Sequence, residues 1–178
     1  MIFVLNTIGL ILLFSILFLV LLFVFFSFRA YFFGAPFVPS NYGVIKKVLD
    51  YTDIKEGSVF FDLGSGDGRV LLEAAKKGAL AIGYELNPFW FFISKINVLL
   101  HGLNDKVTVK RENFMQAPFS EADILYLYLF PEKIAQIEQM LQKKLKKGAQ
   151  VITYRFPFLN WKERKKFEKE KVFLYVKE

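Results

Sequence analysis

Val59-Phe60-Phe61-Asp62-Leu63-Gly64-Ser65-Gly66-Asp67-Gly68-Arg69 reads as an apolar strand that breaks into a glycine loop, after which Val70-Leu71-Leu72-Glu73-Ala74-Ala75 restarts the chain as a helix. Glycines at 64, 66 and 68 let the backbone turn tightly and approach a ligand where a Cβ would intrude. A dinucleotide fingerprint places its third glycine three residues after the second, and this chain has Arg69 there. The spacing is instead Gly-x-Gly-x-Gly preceded by an acid.

Downstream elements follow in the order of a doubly wound α/β sheet. Ala79-Leu80-Ala81-Ile82-Gly83-Tyr84-Glu85 reads as a second buried strand ending in an acid, 17 residues after Gly68. At that strand tip a carboxylate accepts hydrogen bonds from both hydroxyls of a ribose. Asn87 reads as an N-cap and Pro88 as a first helical residue, opening a helix that runs to about His101 and stops at Gly102. A third strand, Val107-Thr108-Val109-Lys110, leads into Arg111-Glu112-Asn113-Phe114. The fourth, Asp123 to Pro131, should end beside the reacting group, because strand C-termini face the ligand crevice. Tyr126 and Tyr128 alternate on it with Leu127, either to line that crevice or simply to pack.

Residues 1–28 carry no charged side chain, and Arg29 is the first charge. About 20 apolar residues span a bilayer core, so the stretch predicts a single transmembrane anchor. A signal peptide would want a basic start and a small-x-small cleavage site, and a buried core helix would seldom run so long without a polar face. The expected organisation is an anchor over 1–28, an interfacial linker over 29–40 and one domain over 41–178. In the linker Pro36, Pro39 and an N-capping Ser40 stiffen the exit from the span. With Arg29 and the basic domain following the span, the positive-inside rule places that domain in the cytoplasm.

The net charge of +7 arises wholly after residue 28, and residues 143–171 hold eleven basic side chains against three acidic ones. Such a face is a solvated surface, a contact for anionic lipid headgroups or, ranked third, a contact for nucleic acid. With no cysteine and one histidine, His101, the chain lacks the means for disulfides, thiolate–metal sites or a Ser-His triad, and no metal is expected.

The glycine loop, the strand-two acid and the third-strand element together resemble the class I S-adenosylmethionine-dependent methyltransferases. Asp62-Leu63-Gly64-Ser65-Gly66-Asp67-Gly68-Arg69, preceded by Pro36-Phe37-Val38-Pro39-Ser40 and followed by Gly83-Tyr84-Glu85-Leu86-Asn87-Pro88, is similar to one branch of them. That branch is the membrane-anchored protein-lysine methyltransferases of the type that modifies the mitochondrial ATP synthase c ring and the adenine nucleotide translocase, with prokaryotic relatives. The resemblance covers roughly residues 36–160. It implies a Rossmann-like sandwich around a mostly parallel seven-stranded sheet, and S-adenosyl-L-methionine as cofactor. It also implies cofactor contacts from Pro39, Asp62, Gly64, Ser65, Gly66, Gly68 and Glu85, with Asn113 in place of the usual adenine-binding Asp. Base and glutamine N-methyltransferases carry Asn-Pro-Pro-Tyr at the fourth strand end, where this chain has Tyr128-Leu129-Phe130-Pro131. Tyr128, Phe130 and Pro131 are therefore the candidate substrate-lining residues. A lysine of a protein at the membrane is the expected acceptor. RNA, a lipophilic small molecule, or cofactor binding without turnover are the alternatives.

Overall fold

The computed structural model describes residues 2–33 and 38–178; Met1 and residues 34–37, with Pro36 and the middle of the expected linker, lie outside them. The apolar stretch forms one helix, α1 (Ile2–Phe33), which continues past residue 28. Its Asn6–Phe28 portion is long and apolar enough to cross a membrane, and none of its most apolar window is buried in the protein. Among the described residues α1 is not packed as a core helix.

The rest alternates strands and helices: α2 (Tyr42–Asp50), β1 (Val59–Leu63), α3 (Arg69–Lys76), β2 (Leu80–Tyr84), α4 (Pro88–Leu100), β3 (Val107–Lys110), β4 (Ile124–Leu127), α5 (Pro131–Lys144), β5 (Gln150–Tyr154), β6 (Lys165–Phe167) and β7 (Val172–Val176). Among the described residues the strands form one seven-stranded sheet in the order β3-β2-β1-β4-β5-β7-β6. β1 to β5 run parallel, and β7 is antiparallel to both β5 and β6. Strand order reverses between β1 and β4, and that switch point opens a crevice at the C-terminal ends of the strands.

Period-two alternation builds a core on each face of the sheet. Phe60, Ala81, Ile124 and Ile152 pack with α2, α3 and Val98 of α4 on one face. Phe61, Leu63, Leu125, Leu127 and Val151 pack with α5 and two short 3₁₀ turns on the other. Each fully buried Phe or Leu contributes about 1.5–3 kcal/mol relative to exposure, which is why the central strands carry almost no polar residue apart from Asp62, Gln150 and Thr153.

Two local expectations are corrected. The cap of α2 is Asn41, whose Oδ1 accepts the Gly43 N–H at 2.8 Å. Ser40 is instead drawn into the sheet, its Oγ 3.0 Å from the Tyr126 hydroxyl. The fourth strand ends at Leu127, because Pro131 lacks an N–H, has a φ suited to a first helical position, and starts α5. Phe130, held extended before that proline, is the N-cap residue.

Candidate active site

The loop after β1 is held open by its glycines. Gly64, Gly66 and Gly68 have φ of 93°, 53° and 82°, the left-handed region that side chains disfavour. Gly68 opens α3, and a Cβ there would collide with the Ser94 hydroxyl of α4. From α4, Asn97 Nδ2 donates to the Asp67 carbonyl at 2.9 Å, tying the loop to that helix.

Glu85 leaves the tip of β2 and turns its carboxylate back to the loop. It accepts the Gly66 N–H at 2.9 Å and the Asn87 N–H at 2.7 Å. Burial pushes its pKa above the usual glutamate range, opposed by those backbone hydrogen bonds. Asp62, near the end of β1, is raised further: burial is the main cause, and the negative charges of Glu85 and Asp67 add to it. Two buried carboxylates so close together are costly as anions, and a cation or several hydroxyl donors would relieve that cost. The Ser65 hydroxyl is buried beside them with no hydrogen-bond partner among the described residues.

A strap, Val38-Pro39-Ser40, lies over this loop. Ser40 bonds Tyr126 as described, and Arg69 Nη1 donates to the Ser40 carbonyl at 3.0 Å. Arg69 is itself fixed by Asp67, with Nε donating to both carboxylate oxygens at 2.9 and 3.0 Å. Its guanidinium also sits 4.9 Å from the Tyr42 ring centroid. The cleft between strap and loop is lined by Pro39, Asp62, Gly64, Ser65, Glu85 and Tyr128, among others, and encloses about 30 Å³. A nucleoside requires far more, so the strap or the side chains that line the cleft must shift for one to enter. Replacing Tyr126 with Phe removes one latch bond, worth about 0.5–1.5 kcal/mol. Nucleoside ligand should then exchange roughly twofold to tenfold faster in stopped-flow measurements, and unchanged rates would show that this bond does not hold the strap.

Next to the cleft, Val38, Tyr128, Leu129, Phe130, Arg155 and Phe156 line a second pocket of about 140 Å³. Arg155 follows β5 with φ 71°, uncommon for a residue other than glycine, and its guanidinium lies 5.8 Å from the Tyr128 ring centroid and 5.7 Å from that of Tyr154. Backbone strain of this kind gathers where side chains must be held in one place. A larger concavity, about 790 Å³, lies between α5 and the C-terminal strand, lined by residues such as Lys143, Trp161 and Arg164. It is a wide groove remote from the glycine loop, and chemistry rather than size assigns the site.

Of the residues expected from the sequence, Pro39, Asp62, Gly64, Ser65, Glu85 and Tyr128 therefore share one cleft, which Gly66 and Gly68 support through the loop. Phe130 and Tyr128 meet in the second pocket. Pro131 lines neither, because it begins α5. Asn113 starts a 3₁₀ turn with its Oδ1 accepting the Met115 N–H at 3.0 Å and does not line the cleft. Arg69, Ser40 and Tyr126 were not expected there. Arg69 could have been found from its place in the glycine loop, whereas nothing in the sequence pairs Ser40 with a tyrosine 86 residues away.

A family model described as the ANTKMT methyltransferase domain matches residues 62–165. The human lysine N-methyltransferase that acts on the c component of ATP synthase is 35% identical over 126 residues, 71% of this chain and 54% of that protein. A protein-lysine N-methyltransferase of Saccharolobus islandicus is 27% identical over 149 residues, 79% of this chain and 92% of that protein. A crystal structure described as an RNA methyltransferase from Salinibacter ruber, in complex with S-adenosyl-L-homocysteine, superposes with a TM-score of 0.74 at 30% identity, covering 79% of this chain and 92% of that one. The chain spans about half the length of the first of these relatives.

Proposed function

The chain belongs to the ANTKMT methyltransferase domain family, and from that premise we propose that it is a membrane-anchored enzyme that transfers a methyl group to a lysine of a protein at the membrane. The observation that carries the methyltransferase reading is Glu85. Its buried carboxylate is turned by two backbone N–H groups to face the same cleft as Asp62 and the glycine loop.

The residues present fit S-adenosylmethionine. Glu85 offers two acceptors for the ribose hydroxyls, Asp62 a buried anion for an ammonium, Ser65 an unpartnered hydroxyl, and the loop a surface free of Cβ atoms at its glycines. When bound, the cofactor supplies an electrophilic methyl on a sulfonium, so the protein's task is to align, desolvate and exclude water. Tyr128 borders both cleft and second pocket, which makes that pocket the acceptor slot. Its volume is near that of cavities that take benzene, suited to one side chain rather than a nucleotide. Desolvation within that slot, between Tyr128, Phe130 and Phe156, disfavours an ammonium and helps a lysine lose its proton before attack. Arg155 on the rim adds a like charge that acts in the same direction.

The lysine assignment is supported by the named activities of the human and Saccharolobus relatives and by the absence of an Asn-Pro-Pro-Tyr segment after β4. Anchoring is supported by α1, and a cytoplasmic domain by the basic residues that follow it. RNA is the second reading, favoured by the description of the Salinibacter structure. The two separate in one experiment. The full chain in its own membranes receives cofactor carrying a deuterated methyl group, and protein, RNA and lipid fractions are analysed by mass spectrometry. Heavy methyl on a lysine of a membrane protein is expected, and label confined to RNA or small molecules would refute the lysine assignment.

A further inference from the structure

α4 is built inside out. The residues it turns into the domain include the polar Ser94, fully buried, and Asn97, which holds the Asp67 carbonyl. Its outward face is Phe89, Phe92, Ile96, Leu99 and Leu100, a continuous apolar stripe at helical spacing with Phe92 59%, Leu99 65% and Leu100 75% exposed. A helix on the surface of a water-soluble domain carries the opposite pattern, and a stripe of this size marks a contact site. One end of the stripe already has a partner: the Phe23 ring of α1 meets Phe89 edge-on, centroids 5.2 Å apart. Phe23 lies near the end of the membrane-crossing portion, Asn6–Phe28, that is followed by Arg29. The apolar surface of α1 thus runs without interruption onto α4 at the depth where a span meets the headgroups.

We propose that α4 is an in-plane membrane helix, its outward stripe seated among the upper acyl chains of the bilayer beside α1. The inference rests on the reading of α1 as a membrane anchor and deepens it. Phe and Leu on one face, with Lys95 at its border able to reach the headgroups, suit a helix lying in the interface plane. Burial of side chains, not attraction to anionic lipid, holds this contact. The basic strand β6, with Lys165 and Lys166, is the edge strand opposite β3, on the far side of the sheet from α4. Seating α4 fixes the orientation of the site as well. Glu85 precedes the helix by three residues and Asn97 grips the glycine loop, so the cleft stands about one helix diameter, 10–12 Å, from the interface.

The chain has no cysteine, so single cysteines label cleanly. Full-length Leu13→Cys, Phe92→Cys, Leu99→Cys and Lys165→Cys variants carry a nitroxide in vesicles of neutral phosphatidylcholine. The accessibility of each to oxygen, which partitions into lipid, and to a water-soluble nickel complex is read by electron paramagnetic resonance. Labels at 92 and 99 should favour oxygen as the label at 13 does, with the ratio inverted at 165. If 13 is in lipid while 92 and 99 meet nickel as freely as 165, α4 docking is wrong and the anchor stands. If 13 is also wet, both fail, whereas the methyltransferase reading is untouched. Spin–spin broadening at 92 that disappears on dilution with unlabelled chain would assign the stripe to a second copy and overturn the proposal.

Discussion

Replacing Glu85 with alanine should lower affinity for S-adenosylmethionine roughly tenfold to a hundredfold while the domain stays folded. Hydrogen bonds to a charged partner are worth about 1.5–3 kcal/mol, and the ribose diol loses its acceptor. Two opposed effects act on the fold. The wild-type carboxylate is buried and its pKa raised, so it destabilises the ligand-free fold at neutral pH. That effect is absent below the unfolded value of about 4.3 and complete once pH exceeds the raised folded value. Alanine removes it, but leaves the Gly66 and Asn87 N–H groups without their acceptor, at about 1–3 kcal/mol for a buried orphan. The two act on stability in opposite directions. In the wild type the ionised form is the one that accepts from hydroxyls, so cofactor affinity should fall as pH drops through the raised value, and Glu85→Ala should reduce that dependence to the part that Asp62 contributes. Calorimetry across pH checks both; equal affinity in wild type and variant would remove Glu85 from the cofactor site.

Why Glu85 was legible in the sequence while other parts of the site were not is a matter of range. The glycine loop, the strand-two acid and the Asn87-Pro88 start of α4 are local: each is dictated by φ requirements, capping or strand position within a few residues, and each stands where the spacing put it. Ser40 failed as a cap because the Tyr126 hydroxyl, distant in sequence, competes for it and Asn41 stands ready one residue later. Pro131 failed as a strand residue because β4 and α5 join with only three residues between them. The outward face of α4 was illegible for a different reason. Phe, Ile and Leu at helical spacing normally mark the core side, and only the packing shows that Ser94 and Val98 take that side instead. The rule that apolar residues point inward assumes water outside. Where it inverts, as on α1 and α4, the surroundings are the variable.

Removing residues 1–28 should leave cofactor affinity unchanged and reduce methylation of a membrane-protein acceptor by about a hundredfold or more. The described residues that line the cleft run from Val38 to Tyr128 and include none of α1. On the proposed reading of α1 as an anchor, what it contributes is concentration: a tethered enzyme meets a target in the same bilayer at an effective concentration near millimolar, and such linkage is worth about 10²–10⁴ in apparent affinity. The loss falls on the acceptor KM rather than on kcat, since alignment at Tyr128 and Phe130 is unchanged once the acceptor is engaged. The truncated domain also exposes the full α4 stripe, including the Phe89 ring that α1 covers in part, so it should associate weakly with vesicles and require mild detergent in solution. Restoring the tether with an unrelated transmembrane helix of similar length should recover most of the lost rate if proximity is the reason, and little of it if α1 itself grips the acceptor. Equal rates of acceptor methylation with and without residues 1–28, under conditions where flotation shows the truncated domain off the membrane, would refute the membrane target, because a soluble acceptor gains nothing from an anchor.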